Sequence, residues 1–340
     1  MQTLFSANYD QHFIDEYGVK DSSSYALLRR LKGAAFDPVS IFTYHYRPFD
    51  YRWIYYRIGI TSRPASEVMT HLMKQNLALI TVRQFAEDAD FSHVFVTKGL
   101  TDIRITVSNR GTCYIFPLYI YAEEPENSVK QTSLDGTSDE PNDKTHGSTG
   151  QTPNFKAEFV QFISTKYPSK PEPEDILNYI YAVLHSPYYR KRYNTFLKKD
   201  FPRIPFTDDY DSFMKLSALG KSLVANHLLQ VDYGESEVGR YPLGGENKVT
   251  KVVFDKSSNR LFINERQYFE NVSPEIFSMN VGGYQVVSKW LGDRVGKVLS
   301  YSDLEKFQKI LNSLASTSVL MSEIDTVFYN ATIDDQVRPT

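Results

Sequence analysis

Residues 125–154, PENSVKQTSLDGTSDEPNDKTHGSTGQTPN, constrain the fold of this chain more than any other stretch. They are polar, acidic and rich in Ser, Thr, Gly, Asn and Pro, so almost none of them can enter a core. A structureless run of this length is unusual inside a compact unit, which makes it the natural boundary between two halves. The expected organisation is a strand-rich half over 1–124, a flexible acidic linker or loop over 125–154, and a helix-rich half over 155–340.

The residues on either side have different periodicities. VSIFTYHYR (39–47), YRWIYYRIGI (51–60), LALITVR (77–83), HVFVTK (93–98) and CYIFPLYIY (113–121) are β-branched and aromatic, with turn residues between them. SEVMTHLMKQN (66–76) is a short amphipathic helix between two of these strands, so a mixed sheet with crossing helices is expected. Beyond the acidic run, Ile176, Leu177, Ile180, Val183 and Leu184 recur at helical spacing. A further helix is predicted over about 210–229, a hairpin over 251–264, and a short helix from Gly282-Gly283 to Trp290. Ser302-Asp303-Leu304-Glu305 reads as a capping box opening a last long helix, whose buried stripe is Phe307, Ile310, Leu311 and Leu314. The fold class is therefore α+β, with a strand-rich mixed N-terminal half and a helical C-terminal half that carries a small hairpin.

Composition narrows the function classes. No apolar run reaches the roughly 18 residues of a membrane span. The first residues, MQTLFSANYDQHFIDEYG, lack the basic start and apolar core of a signal peptide. One cysteine, Cys113, excludes an internal disulfide framework and fits a reducing compartment, so a cytoplasmic location is expected. It lies in an apolar strand, where packing explains it. Seven histidines without His-x-x-x-His or Cys-x-x-Cys spacing give no zinc site. The net charge of −3 excludes a globally basic binder but hides a local partition. Arg190, Lys191, Arg192, Lys198, Lys199 and Arg203 face a single acid, Asp200, and residues 20–63 carry eight basic against three acidic side chains.

The basic run sits in LHSPYYRKRYNTFLKKDFPRIPF (184–206). Its Ser186-Pro187-Tyr188-Tyr189 looks like a damaged form of the polar-Pro-Pro-aromatic loop with which amino-methyltransferases hold a target amine. The second proline is missing, and no glycine-rich loop follows a strand to hold a nucleotide-like cofactor. Ser as N-cap with Pro at the first helical position accounts for the same residues. On a helix over 187–199, Tyr189, Tyr193, Phe196 and Leu197 share one side and are expected in the core. Lys191 and Lys198 lie opposite, with Arg190, Arg192 and Lys199 on the flanks. Solvated helix faces usually mix signs, so a face of one sign points to phosphate binding. Arg47, Arg52, Arg63 and Arg83, on or beside the N-terminal strands, are candidates to clamp phosphate or read guanine, or else to pair with acids such as Asp37, Asp50 and Glu67.

Two alternatives come from other classes. Asp232 with Glu246-Asn247-Lys248 fits the loose Asp…Glu-x-Lys pattern of Mg²⁺-dependent nucleases, in which carboxylates hold the metal and lysine activates water. That Glu-x-Lys follows Gly244-Gly245 in a turn, whereas the pattern normally lies on a strand. The other alternative is a protein-interaction module that uses the acidic run.

Three groups of residues in order carry a resemblance. They are YRPFDYRWIYY (46–56) with NLALITVRQF (76–85), HVFVT (93–97) and FPLYIY (116–121); then YIYAVLHSPYYRKRY…FLKKDFPRIPF (179–206); then VGGYQVVSKWLGDR (281–294), LSYSDLEKF and SEID (322–325). Together they resemble the C-terminal target recognition (specificity) region of single-chain type ISP and type IIG restriction-modification enzymes, of the adenine-N6 DNA methyltransferase family. The resemblance implies sequence-specific binding of double-stranded DNA by this region. It places methylation with S-adenosylmethionine, and any helicase or nuclease activity, in other domains of the same enzyme. This chain shows neither the cofactor-binding glycine motif nor the Asn-Pro-Pro-Tyr loop, so it implies no catalytic residue and no cofactor here. Base-reading positions vary with the target in that family and are not carried over.

Overall fold

β-branched and aromatic runs in the N-terminal half pair wherever their neighbours supply turns. The computed structural model describes residues 2–21, 26–86, 89–106, 112–122 and 150–337, with side chains to 332. Ile41–Arg47 pairs antiparallel with Asp50–Tyr55 across Pro48-Phe49. Phe49 takes a left-handed φ of 64°, which costs a non-glycine residue about 1–2 kcal/mol. Its ring is wholly buried, 5.5 Å from Phe95 and 5.7 Å from His227, and that packing offsets the strain. Ala78–Val82 is the centre of a three-stranded antiparallel sheet between Val94–Thr97 and Cys113–Pro117. All four residues of Val94–Thr97 are buried, which explains a strand that reads as continuously apolar.

The strand assignments hold, but the single mixed sheet does not form. The named strands pair only antiparallel and lie in separate two- and three-stranded sheets; among the described residues the one parallel pairing is an isolated bridge between His45 and Thr101. A link as short as Pro48-Phe49 can only return a strand antiparallel, since a parallel neighbour needs a crossover of about a dozen residues. Most of the expected acidic linker lies outside the described residues. Its far end does not behave as linker: Gln151–Pro153 pairs antiparallel with Tyr119–Tyr121.

Helices follow the acidic run. Pro173–His185 and Tyr210–His227 cross so closely that a Cβ on Gly220 would lie 1.9 Å from the Asn178 carbonyl oxygen. Only glycine fits there, because the obstacle is backbone. Gly220→Ala is expected to cost about 3 kcal/mol or more. A urea midpoint unchanged from the native chain would contradict this crossing.

The 37-residue helix Tyr301–Val337 packs on the same pair and buries Phe307, Ile310, Leu311 and Leu314 fully, as its stripe predicts. Its opening box is offset by two residues from the expected Ser302…Glu305. The Ser300 backbone N–H donates to the Asp303 carboxylate at 3.0 Å, and the Asp303 N–H donates back to Ser300 Oγ at 3.1 Å. The expected hairpin forms as Val253–Asp255 with Arg260–Phe262 and gains a third strand, Tyr268–Phe269. One hydrophobic cluster runs from Ile80, Val94 and Phe95 to Tyr179, Leu216 and Phe307, so side chains from both sides of the acidic run share a core. No described helix is long and apolar enough to cross a membrane.

A buried polar network ties three helices together inside that core. The Thr317 hydroxyl donates to the Ser313 carbonyl at 2.7 Å, so it can only accept from His227 Nε2 at 2.9 Å and from Asn226 Nδ2 at 2.8 Å. His227 therefore carries its proton on Nε2, and Nδ1 accepts from the Tyr181 hydroxyl at 2.6 Å. Burial pushes His227 from the ordinary 6.5 down to about 3, does the same to His45, and lowers His185 well below its usual value. The unfolded chain takes up these protons below about pH 6.5, whereas the folded chain refuses them until about pH 3. Stability is thus fully present above pH 6.5 and falls as pH drops through that window, by about 1.4 kcal/mol per pH unit for each histidine. Urea unfolding should show a loss of about 4–6 kcal/mol between pH 7 and pH 5; equal midpoints would contradict it.

Candidate nucleic-acid interface

The basic run begins at a doubly capped helix. Ser186 Oγ accepts from the Tyr189 N–H at 3.1 Å and donates to Asp325 Oδ1 at 2.5 Å, while the same carboxylate oxygen accepts from the Tyr188 N–H at 2.6 Å. Pro187 fills the first helical position, so the helix-start reading of Ser-Pro-Tyr-Tyr is what the fold contains. Asp325 is the last residue of the SEID motif, and sequence spacing gave no hint that it reaches across 137 residues to Tyr188.

The expected helix over 187–199 is broken. Pro187–Arg192 ends at Tyr193, whose φ and ψ of −103° and 12° leave the helical region, and Asn194–Leu197 starts afresh. The break changes which side chains face inward. Tyr189 and Leu197 are buried and Tyr193 is half-buried as expected, but Phe196 is 72% exposed, contrary to its assignment to the core.

The six cations of the run take distinct places. Lys191, Lys199 and Arg203 are exposed and form no ion pair among the described residues. Arg192 is exposed and lies 5.7 Å over both the Tyr188 and Tyr193 rings, donating to the Tyr188 hydroxyl at 2.6 Å. Lys198 is half-buried. Arg190 is turned inward, with its Nε donating to the Leu184 carbonyl at 2.7 Å. The single acid of the run, Asp200, is neutralised from the N-terminal half, where Arg83 Nε lies 3.0 Å from its carboxylate. Gln84 donates to the Lys199 carbonyl at 3.0 Å beside it, so Arg83 joins the 198–203 cations on one face.

Arg47 and Arg52 are held elsewhere. Arg52 lies 2.9 Å from Asp50 and 3.5 Å from Asp293, with its guanidinium 3.7 Å over the Tyr46 ring. Arg47 lies 3.5 Å from Asp102 and 3.9 Å over the same ring. Arg294, absent from the expected set, completes the network at 3.0 Å from Asp50 and 3.5 Å over Trp290. For Asp50, burial alone would raise the carboxyl; Arg294 and Arg52 outweigh it and hold it below the usual range. The ion-pair reading therefore describes both: Arg52 and Asp50 link the hairpin to the Asp293-Arg294 end of the Val286–Gly292 helix, and Arg47 links it to Asp102. Arg63 is exposed in the turn after the hairpin, with a left-handed φ of 49°.

The nuclease trio does not assemble. Glu246 and Lys248 line one cavity and Asp232 is not among its walls; Asp232 instead accepts from the Gly234 N–H at 3.0 Å. No group of three or more His, Cys, Asp or Glu side chains among the described residues is arranged to hold a metal ion.

These features define an α+β module with a cationic face of one sign. The chain matches the Type ISP C-terminal specificity domain over residues 7–323 and belongs to that family. Its fold is similar to an ATP-dependent Type ISP restriction-modification enzyme, LlaBIII, bound to DNA, with a TM-score of 0.61, 18% identity and 88% of this chain covered. It is also similar to a nuclease-deletion mutant of the Type ISP enzyme LlaGI in complex with a DNA substrate mimic, with a TM-score of 0.58, 19% identity and 88% coverage. A third similar structure is a DrdV–DNA complex, with a TM-score of 0.62, 18% identity and 96% coverage. The matches span 19%, 26% and 31% of those longer chains. No curated protein matches the chain.

Proposed function

We propose that this chain is a DNA target recognition domain: it binds duplex DNA sequence-specifically within a restriction-modification enzyme whose other domains do the chemistry. The observation that carries this reading is the cationic face formed by Arg83 and residues 190–203 in a member of the specificity-domain family, where Asp200, the acid within that run, is paired with Arg83. Lysines and arginines of one sign attract phosphates and set register, and sequence is then read at base edges. The three similar enzymes are described as DNA-bound, which supports the same partner here. In the finer form of this reading the chemistry is N6-methylation of adenine. S-adenosylmethionine then belongs to a methyltransferase domain that docks on this module, and the enzyme works in the cytoplasm.

The test is selection from a pool of randomised duplexes. Enrichment of one short motif is the expected result, and recovery of an unenriched pool would overturn sequence-specific recognition while leaving non-specific binding.

A further inference from the structure

We infer that the groove beside the Pro187–Arg192 helix is a built phosphate site, in which Arg190 positions one backbone phosphate of a bound duplex. This rests on the DNA-binding reading and deepens it, because it separates one preorganised contact from a diffuse cationic face. The groove encloses about 750 Å³ between Ala86 and residues 89–93 on one side, and the helix and the turn at 279–283 on the other. Arg190 and Lys191 line it, with neutral polar partners in Ser92, Asn194 and Asn280.

Arg190 is the informative residue. Its Nε donates to the Leu184 carbonyl at 2.7 Å, and its guanidinium carbon lies 5.8 Å from the Phe91 ring centroid. One edge and one face are thereby fixed, and the Nη groups make no hydrogen bond or ion pair among the described residues. Burial lowers the guanidinium to about 10, so the folded chain sustains a cost to keep this charge. A desolvated cation is normally matched by a carboxylate. Among the described residues the one carboxylate on the groove walls, Asp90, is exposed and forms no ion pair with Arg190. An arginine oriented beforehand, with its fork free of any partner among the described residues, suits a bidentate contact to phosphate.

The groove also continues in a direction that suits a strand. Pro187, Met279 and Met321 are shared with a second cavity, of about 480 Å³, along the long helix. Ser318, Ser322, Thr326 and Asn330 line that cavity at four-residue spacing and offer uncharged hydrogen-bonding groups. Its one acid, Asp325, is engaged in capping the Pro187–Arg192 helix. A phosphate at Arg190 would therefore meet neutral polar groups and, among the described residues, no free carboxylate on the next stretch.

The experiment measures labelled-duplex binding by anisotropy against salt for the native chain, Arg190→Gln and Arg190→Lys, with Arg260→Gln on the far strand as a charge control. Thermal melting reports folding of each. The expected result is at least about a tenfold loss of affinity for Arg190→Gln, with the salt slope reduced by about one. Arg190→Lys should recover the slope but not the affinity, because a point charge lacks the fork. Arg260→Gln should change neither. If Arg190→Gln folds and binds with native affinity and slope, the inference is overturned while DNA binding stands. If the native chain binds no duplex, the proposed function fails instead. The site is then decided with inorganic phosphate, which should raise the native melting temperature and leave that of Arg190→Gln unchanged; no shift in either overturns it. Should Arg190→Gln not fold, Arg190→Met takes its place with the same expected loss.

Discussion

Asp50→Ala lowers the melting temperature by on the order of 5 °C, the largest stability loss expected from a polar substitution in this chain. The carboxylate is 5% exposed and sits 3.0 Å from Arg294 and 2.9 Å from Arg52. Arg294 is itself only 16% exposed, so removing Asp50 leaves a buried guanidinium with no counter-charge. Breaking such a pair typically costs about 3–5 kcal/mol, well above the 0–1 kcal/mol of a surface pair. For a chain of 340 residues each kcal/mol moves the midpoint by about 1–2 °C. Asp50→Ala/Arg294→Met should recover a substantial part, because the penalty is the orphaned charge and an apolar chain can still lie on Trp290. Calorimetry decides the matter: a single variant within about 2 °C of native would show that the network does not pin the hairpin.

Lys191→Glu/Lys199→Glu/Arg203→Glu has the opposite profile, with affinity lost and stability kept. All three side chains are exposed and outside any ion pair among the described residues, so reversing them leaves no described buried partner unsatisfied. Each phosphate contact contributes about 0.9 to the slope of log affinity against log salt, and reversal adds repulsion to the lost attraction. Duplex affinity should fall by about 10²–10³ at moderate salt, and the slope should drop by about two to three. Anisotropy titrations measure both quantities on one sample. A native slope in the triple variant would move the contact surface elsewhere, while an unchanged melting curve excludes misfolding as the cause.

Local chemistry was legible in the sequence, whereas partners distant in the chain were not. Ser186-Pro187 announced a helix start, the apolar stripe of the last helix announced its buried face, and β-branched runs announced strands, because each depends on neighbours within a few residues. The motif YRPFDYRWIYY gave no sign that its Asp50 meets Arg294 across 244 residues; it left open whether Arg47 and Arg52 contact DNA or pair with acids, and the pairs that form are with Asp102 for Arg47 and with Asp50 and Asp293 for Arg52. Phe196 changed sides because periodicity assumes one continuous helix, and the break at Tyr193 resets the phase; Arg190, on the flank before that break, turns inward through its hydrogen bond to the Leu184 carbonyl. The capping box slipped because Ser300 and Ser302 both precede an acid three residues on, and only backbone geometry chooses between them. The phosphate groove was invisible because its walls come from residues near 90, 190, 280 and 320.

The most direct test of the account is the binding of the native chain to labelled duplex DNA at about 50 and about 200 mM salt. With at least Lys191, Lys199 and Arg203 on phosphates, affinity should fall by about 10¹–10² between the two conditions. Absence of binding at the lower salt, or an affinity indifferent to salt, would contradict the cationic face as a DNA interface.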